Sequence, residues 1–349
     1  MSANGTTVST WPYEPIDINQ GIILFLLAFA GVVANVVAFC ATLQLPRALQ
    51  SSINTFVLAL SSVDLLCLVL APLPTFICYV TRSWVGGQHM CKFQGCISIF
   101  AAFASGCFAT AMAIDRHAAV CRPFAYKNFL TQRWPLRVTI SILLGSLIIA
   151  VLPLIGFGDF VRNLTGTYCG LDWFASAPLS RTYAIMFACM GISLILAVVF
   201  ANTSIAVKVC QRTRKNSFHR TQENSPEKKL TRTVVVVSVL FVICWLPYMV
   251  RIICNQAGWW RDPWVDVQVS RLMLLNFALD PFLYTLSRAQ CRKIVGGWLG
   301  YCCTPCMNAL KKTGDVKRST QDSSTVPPFT VSNNEAYQCT ETSLTDLSR

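Results

Sequence analysis

The stretch Arg271-Leu272-Met273-Leu274-Leu275-Asn276-Phe277-Ala278-Leu279-Asp280-Pro281-Phe282-Leu283-Tyr284 decides how this chain is read. It is an apolar run of helical length that also holds a guanidinium, an amide, a carboxyl and a proline. A cation inside a membrane span is costly unless a cavity and a counter-charge compensate it. Arg271 lies toward the outer end of that run. Its natural partner is therefore an anion arriving from outside or from the lipid, and the expected ligand class is a carboxylic acid.

Composition supports the membrane reading. The 349 residues are 54% hydrophobic and only 13% charged, against about 25% charged in a soluble domain. Seven segments have the roughly 20 apolar residues a bilayer crossing needs. They lie at about 21–43, 53–79, 91–117, 136–158, 181–209, 231–254 and 266–287. Lipid offers the backbone no hydrogen bonds, so these are helices. The expected fold is an all-α membrane protein, a seven-helix bundle.

The net charge is +13, which taken alone invites a nucleic-acid partner. Its distribution argues otherwise. Arg122, Lys127, Arg133 and Arg137, then Arg212, Arg214, Lys215, Arg220, Lys228, Lys229 and Arg232, gather in alternate loops. The opposite loops hold few basic residues, such as Arg82, Arg162 and Arg261. This bias puts the N-terminus outside and the tail inside the cell, with no nucleic-acid partner and a plasma-membrane location. The sequons at Asn4 and Asn163 fall on the outer side and are expected to be glycosylated. A third match at Asn202 lies inside span five and is expected to be spurious. No cleavable signal peptide is visible, so span one is expected to direct insertion.

The chain divides into an outer tail 1–20, a bundle 21–287, a segment 288–307 and an inner tail 308–349. Residues 288–300 read as a short amphipathic eighth helix, with Arg288, Arg292 and Lys293 toward headgroups and Ile294, Val295, Trp298 and Leu299 toward lipid. Cys302, Cys303 and Cys306 follow it and are candidates for palmitoylation. The tail is rich in Ser, Thr and Asn and is expected to be disordered. Its hydroxyls, such as Ser319, Thr320, Ser323, Ser324 and Thr325, are expected substrates for kinases. The loops are too short to hide a catalytic domain, and no enzyme activity or cofactor is expected.

Asn35, Asp64, Asn276 and Asp280 lie at membrane depth. They are expected to share an internal polar cluster, hydrated or holding a sodium ion at Asp64. The alternative is a polar packing knot with no switching role. Asp115-Arg116-His117 stands at the inner end of span three, where the acid can hold the arginine until an intracellular partner frees it. Trp245 beside Pro247 is either a hinge in span six or ordinary packing. Prolines at Pro72, Pro74, Pro153, Pro247 and Pro281 bend their helices, and span five lacks one in its interior. Cys91 and Cys169 both lie on the oxidising side and are expected to form a disulfide that tethers the outer loop.

Together these features resemble the rhodopsin-like (class A) G-protein-coupled receptors over residues 20–300. A retinal pigment is ruled out, because residues 266–287 contain no lysine for a Schiff base. The outer half is more specific. Trp84-Val85-Gly86-Gly87-Gln88, Leu152-Pro153 with Gly156-Phe157-Gly158, Gly166-Thr167-Tyr168-Cys169 with Leu171-Asp172-Trp173, Val250-Arg251 with Asn255-Gln256, and Arg271 before Asn276 and Asp280 resemble prostanoid receptors. Within that family they look most like the prostaglandin E subtype-four members. Departures mark a distant member: Asp115 replaces the usual glutamate, His117 and Trp245 are atypical, Leu274 replaces a serine, and Phe277 and Phe282 replace proline and tryptophan.

The resemblance implies a carboxylate site in which Arg271 provides the charge and Tyr79 and Thr167 add hydroxyl donors, with Arg251 a weaker candidate. It implies an eicosanoid ligand, prostaglandin E first. It also implies a heterotrimeric G protein met by Arg116 through a switch of Asp115, Trp245, Pro247, Asp280, Pro281 and Tyr284, and a rise in cyclic AMP. The alternatives are a class A receptor for another lipid acid or a peptide, and an organic-anion transporter. A transporter is expected to show internal repeats or broken helices, and the sequence shows neither.

Overall fold

The computed structural model describes residues 18–45, 52–129, 133–163, 165–215, 226–287 and 291–298, with 127–129, 212–215, 226–234 and 281–287 described by backbone alone. Helix α1 is Ile18–Leu43, α2 Ser52–Leu70, α3 Leu73–Thr81, α4 Gly87–Cys121, α5 Pro123–Phe129 and α6 Trp134–Val151. A 3-10 turn, Leu152–Ile155, extends α6. A hairpin of β1 Phe160–Arg162 and β2 Cys169–Leu171 follows, then α7 Pro178–Lys215, α8 Pro226–Ala257 and α9 Pro263–Ser287. Residues 291–298 are also helical, on the expected amphipathic segment. The rest of that segment, the tails, Asn4 and Cys302, Cys303 and Cys306 lie outside the described residues.

The expected spans are present with ends shifted by a few residues. Among the described residues, six helical segments are long and apolar enough to cross a membrane. Helix α9 completes the set and carries Asp266, Arg271 and Asp280. The bundle is apolar on its outward faces as well as in its core. Ile22, Phe25, Leu26 and Phe29 of α1 and Leu196 and Phe200 of α7 face outward, as lipid requires. Small residues fill the interior: Ala101, Ala102, Ala104, Ser105 and Ala109 of α4 are buried. They let α4 lie against α2, α6, α7 and α8, since small side chains allow close backbone approach in a membrane.

Three local features position the outer half. First, span two is broken, where its two prolines predict a bend. Pro72 and Pro74 each remove a backbone donor, so the span becomes α2 and α3. Helix α3 ends at Arg82 in a left-handed conformation, φ 57°. Second, the chain leaves α6 through Gly156 and Gly158, at φ +97° and +111°. Only glycine takes such angles without cost, and at Gly158 a Cβ would also come within 2.8 Å of the Tyr183 ring. Third, this turn delivers the hairpin, whose antiparallel register pairs Phe160 with Leu171 and Arg162 with Cys169. Phe160 is buried on Gly95 of α4, where a Cβ would meet its ring at 2.4 Å. The expected disulfide joins Cys91 to Cys169, with Cα atoms 5.1 Å apart. Helix α8 keeps Pro247 inside it.

Candidate ligand site

A cavity of about 160 Å³ opens under the hairpin. Tyr79, Thr167 and Arg271 all line it, so α3, the hairpin loop and α9 deliver the three expected anion ligands to one space. Tyr79 and Thr167 are buried. Helix α1 approaches Tyr79 through Gly21, where a Cβ would stand 2.7 Å from the ring. The remaining wall is largely apolar: Leu24, Ile99, Ala102, Met273, Leu274 and Phe277. An apolar cleft with a few convergent polar groups is the usual make-up of a ligand pocket.

The electrostatics turn on Arg271. It is half-buried, and among the described residues it makes no ion pair and no hydrogen bond. The hydroxyl of Thr167 stands at the end of a relay. Asn163 Nδ2 donates to Thr165 Oγ1 at 2.7 Å, and Thr165 Oγ1 lies 2.8 Å from Thr167 Oγ1. Thr165 already accepts from Asn163, so donation onward to Thr167 leaves the Thr167 proton for an oxygen in the cavity. Next to it, burial pushes the Tyr168 phenol up to about 12. It therefore stays protonated and lies 3.1 Å from Ser270 Oγ, which itself donates to Asp266 O at 2.8 Å.

Arg251, the weaker candidate, neither lines this cavity nor reaches outward. It is 4% exposed. Its Nε donates to Asp266 Oδ1 at 2.7 Å, and its terminal nitrogens reach Trp260 O and Asn255 Oδ1, each at 2.9 Å. Its guanidinium lies 4.8 Å from the Trp260 ring centroid, and Asn255 Nδ2 donates to Asp266 Oδ2 at 3.0 Å. Asp266 and Trp260 were not singled out in the sequence. An acid in the first turn of an otherwise apolar helix was the available signal. Gln256, at the same corner, donates to Asp172 O at 2.8 Å and fastens the loop after β2.

At membrane depth Asn35 donates to Gly31 O at 2.9 Å and Phe277 O at 2.8 Å, and Asn276 donates to Asp280 Oδ2 at 2.8 Å. Among the described residues, both Asp64 oxygens, Ser61 Oγ, Ser105 Oγ, Asn276 Oδ1 and Asp280 Oδ1 are buried with no partner at hydrogen-bond geometry. The expected polar cluster is therefore rich in acceptors. Trp245 is fully buried against Phe241, ring centroids 5.0 Å apart, and against Gly106, where a Cβ would stand 3.0 Å from the indole. The side chains of Pro281 and Tyr284 lie outside the described set.

At the inner end Arg116 donates through Nε to Asp115 Oδ2 at 3.1 Å and also pairs through a terminal nitrogen. Tyr126 of α5 completes the arrangement. Its hydroxyl donates to Asp115 Oδ1 at 3.1 Å and accepts from Arg116 at 3.3 Å. Burial raises the Tyr126 phenol, so it remains a donor. No pattern in the sequence pointed to Tyr126.

Known proteins resemble this chain along most of its length. The prostaglandin E2 receptor EP4 subtype of Homo sapiens is 22% identical over 314 residues, covering 76% of this chain and 63% of that protein. The chain thus spans less than two thirds of that relative's length. Melanopsin of Phodopus sungorus is 23% identical over 333 residues, covering 88% of this chain and 68% of that protein. Squid rhodopsin has the same fold, with a TM-score of 0.73 at 21% identity over 89% of this chain and 92% of the other. The family model of the 7 transmembrane receptor (rhodopsin family) matches residues 34–284, most of the bundle. With helices, the Cys91–Cys169 disulfide and the Asp115–Arg116 pair all in place, the chain belongs to the rhodopsin family of seven-transmembrane receptors.

Proposed function

We propose that this receptor binds a prostaglandin-like carboxylic acid, with its carboxylate on Arg271, Tyr79 and Thr167 and its chains along the apolar wall. The single observation that carries this reading is the unpartnered guanidinium of Arg271 in the same cavity as two buried hydroxyl residues. One carboxylate neutralises the guanidinium and still has lone pairs for both hydroxyls. Likeness to prostaglandin E2 receptors at 22% identity supports the choice of a prostaglandin E. The melanopsin likeness does not carry over to a retinal ligand, since neither α9 nor the cavity wall holds a lysine. The transporter reading falls to the family match, although span two is a broken helix.

Family and fold are those of a receptor and not of an enzyme, and the chain is a multi-pass membrane protein. The finer reading places the N-terminus outside the plasma membrane. Agonist would loosen the Asp115–Arg116–Tyr126 contact through Trp245 and Pro247 in α8 and the Asp280-Pro281-Tyr284 segment of α9. Arg116 would then meet a stimulatory G protein and cyclic AMP would rise. The orphan oxygens around Asp64 fit a hydrated monovalent cation such as sodium. Glycans at Asn4 and Asn163, acyl chains on Cys302, Cys303 or Cys306, and kinase and arrestin engagement of the tail complete the proposal.

The test is cyclic AMP in cells given a prostaglandin panel, beside Arg271→Ala at equal surface level. A rise to one prostaglandin that vanishes in the variant is expected. A flat wild-type response, with calcium also silent, removes the prostanoid ligand.

A further inference from the structure

Gln94 of α4 is 3% exposed, and every polar atom of its amide is engaged. Its Nε2 donates to Ala71 O at 2.5 Å and to Thr75 Oγ1 at 2.8 Å. Its Oε1 accepts from Cys169 N at 2.7 Å. An unsatisfied amide in this interior would be strongly unfavourable, so the three bonds hold together. They reach two separate elements. Ala71 and Thr75 flank the proline break that starts α3, the helix that carries Tyr79. Cys169 opens β2, two residues after Thr167.

The disulfide already ties Cys169 to Cys91, one turn further out on α4. A single tether leaves rotation about itself. A further contact one helical turn away, three residues on, narrows that freedom, beside the seat of Phe160 on Gly95 and the Gln256 bond to Asp172 O. Gln94 also lines the cavity, but both its amide protons are spent within the protein. Only oxygen lone pairs remain, and these repel a carboxylate.

We propose that Gln94 is the positioning residue of the anion site. It clamps the broken span two to the hairpin, so that Tyr79 and Thr167 converge on one carboxylate beside Arg271. This rests on the carboxylate reading above. It gives Gln94 no contact with ligand, and its effect passes through the two hydroxyls.

The experiment compares prostaglandin E2 with its methyl ester, whose neutral head group cannot use the full donor set. Potency is measured at matched surface level in wild type, Arg271→Ala, Gln94→Met and the Tyr79→Phe/Thr167→Val pair with and without Gln94→Met. Wild type should prefer the acid, and Arg271→Ala should erase that preference. Gln94→Met should weaken the acid about tenfold and the ester less than about threefold, as expected when donors are misplaced and not removed. In the background lacking both hydroxyls it should add nothing further, because the pathway it uses is gone.

Equal weakening of acid and ester marks a merely structural residue and overturns the proposal. So does a full additional loss in the double background, which marks direct contact, and so does an unchanged acid response. Should Gln94→Met fail to reach the surface, Thr75→Val removes one of the three bonds at constant shape. It should give a smaller acid-selective loss, and none at all would overturn the clamp. A wild type with no preference for the acid, or an Arg271→Ala that keeps it, sinks the carboxylate reading itself.

Discussion

Two arginines stand at the outer ends of neighbouring helices and meet opposite fates. Arg251 of α8 is enclosed by Asp266, Asn255, Trp260 and the backbone. Arg271 of α9 faces a cavity with no protein counter-charge among the described residues. Asp266 and Arg271 share α9, yet five residues at 3.6 per turn put them about 140° apart around the helix. The acid turns to α8 and the arginine turns to the cavity. One guanidinium is thus consumed in joining α8 to α9, while the other lines the cavity without a counter-charge among the described residues. The comparison teaches that an arginine in a span becomes a site only when the fold withholds its partner.

The largest effect that probes this contrast is expected at the enclosed corner. Arg251→Ala leaves Asp266 buried without its counter-charge, a loss of about 3–5 kcal/mol. It should appear as poor surface expression and a lower melting temperature, and Arg251→Ala/Asp266→Ala should recover most of it. A single variant as stable as wild type would show that the corner is not structural.

Arg271→Ala is expected to do the reverse. Ligand potency should fall about 100-fold, close to 2.7 kcal/mol for a lost charge-assisted pair. The ligand-free melting temperature should hold or rise, because an uncompensated cation has been removed. A melting temperature that drops as at Arg251 would break the comparison.

A smaller effect is expected where the lid meets the bundle. Gly95→Ala drives a Cβ into the Phe160 ring, an overpacking cost of about 1–3 kcal/mol. Ligand dissociation should quicken, since the hairpin loses its seat while the disulfide remains. A dissociation rate equal to wild type would detach the lid from ligand retention.

The smallest effect concerns Asp172 in the outer loop. Burial raises its carboxyl above the ordinary range, against the N–H of Phe174 that it accepts at 3.0 Å. Stability tied to its proton is present below the ordinary pKa of 3.8 and is lost as pH rises through the raised value. Asp172→Asn is neutral throughout and keeps an acceptor. Its melting temperature at neutral pH should exceed wild type by about 1–2 °C, and acidification should close the gap. A gap that stays constant with pH would assign the gain to another cause.

Much of the fold was legible because a bilayer allows little else. The spans, the Cys91–Cys169 disulfide and the lack of a lysine in α9 all follow from local composition and side of the membrane. The break at Pro72 is half legible: two prolines two residues apart predict a bend, and only the contact with Gln94 shows what takes the Ala71 carbonyl at the break. The hairpin is not legible in the sequence, since three-residue strands fall below what alternation can detect. Gln94 and Tyr126 left no sequence pattern because their partners lie 10 to 75 residues away.

The sequence by itself determined a helical membrane receptor with an arginine inside its last span. Hydrophobic length, charge asymmetry and side-chain chemistry are properties of the chain taken a segment at a time. Only the tertiary structure decided which arginine stays unpaired among the described residues and which residues line the same cavity with it. Helical periodicity sets the face on which a side chain lies, and packing decides what that face meets.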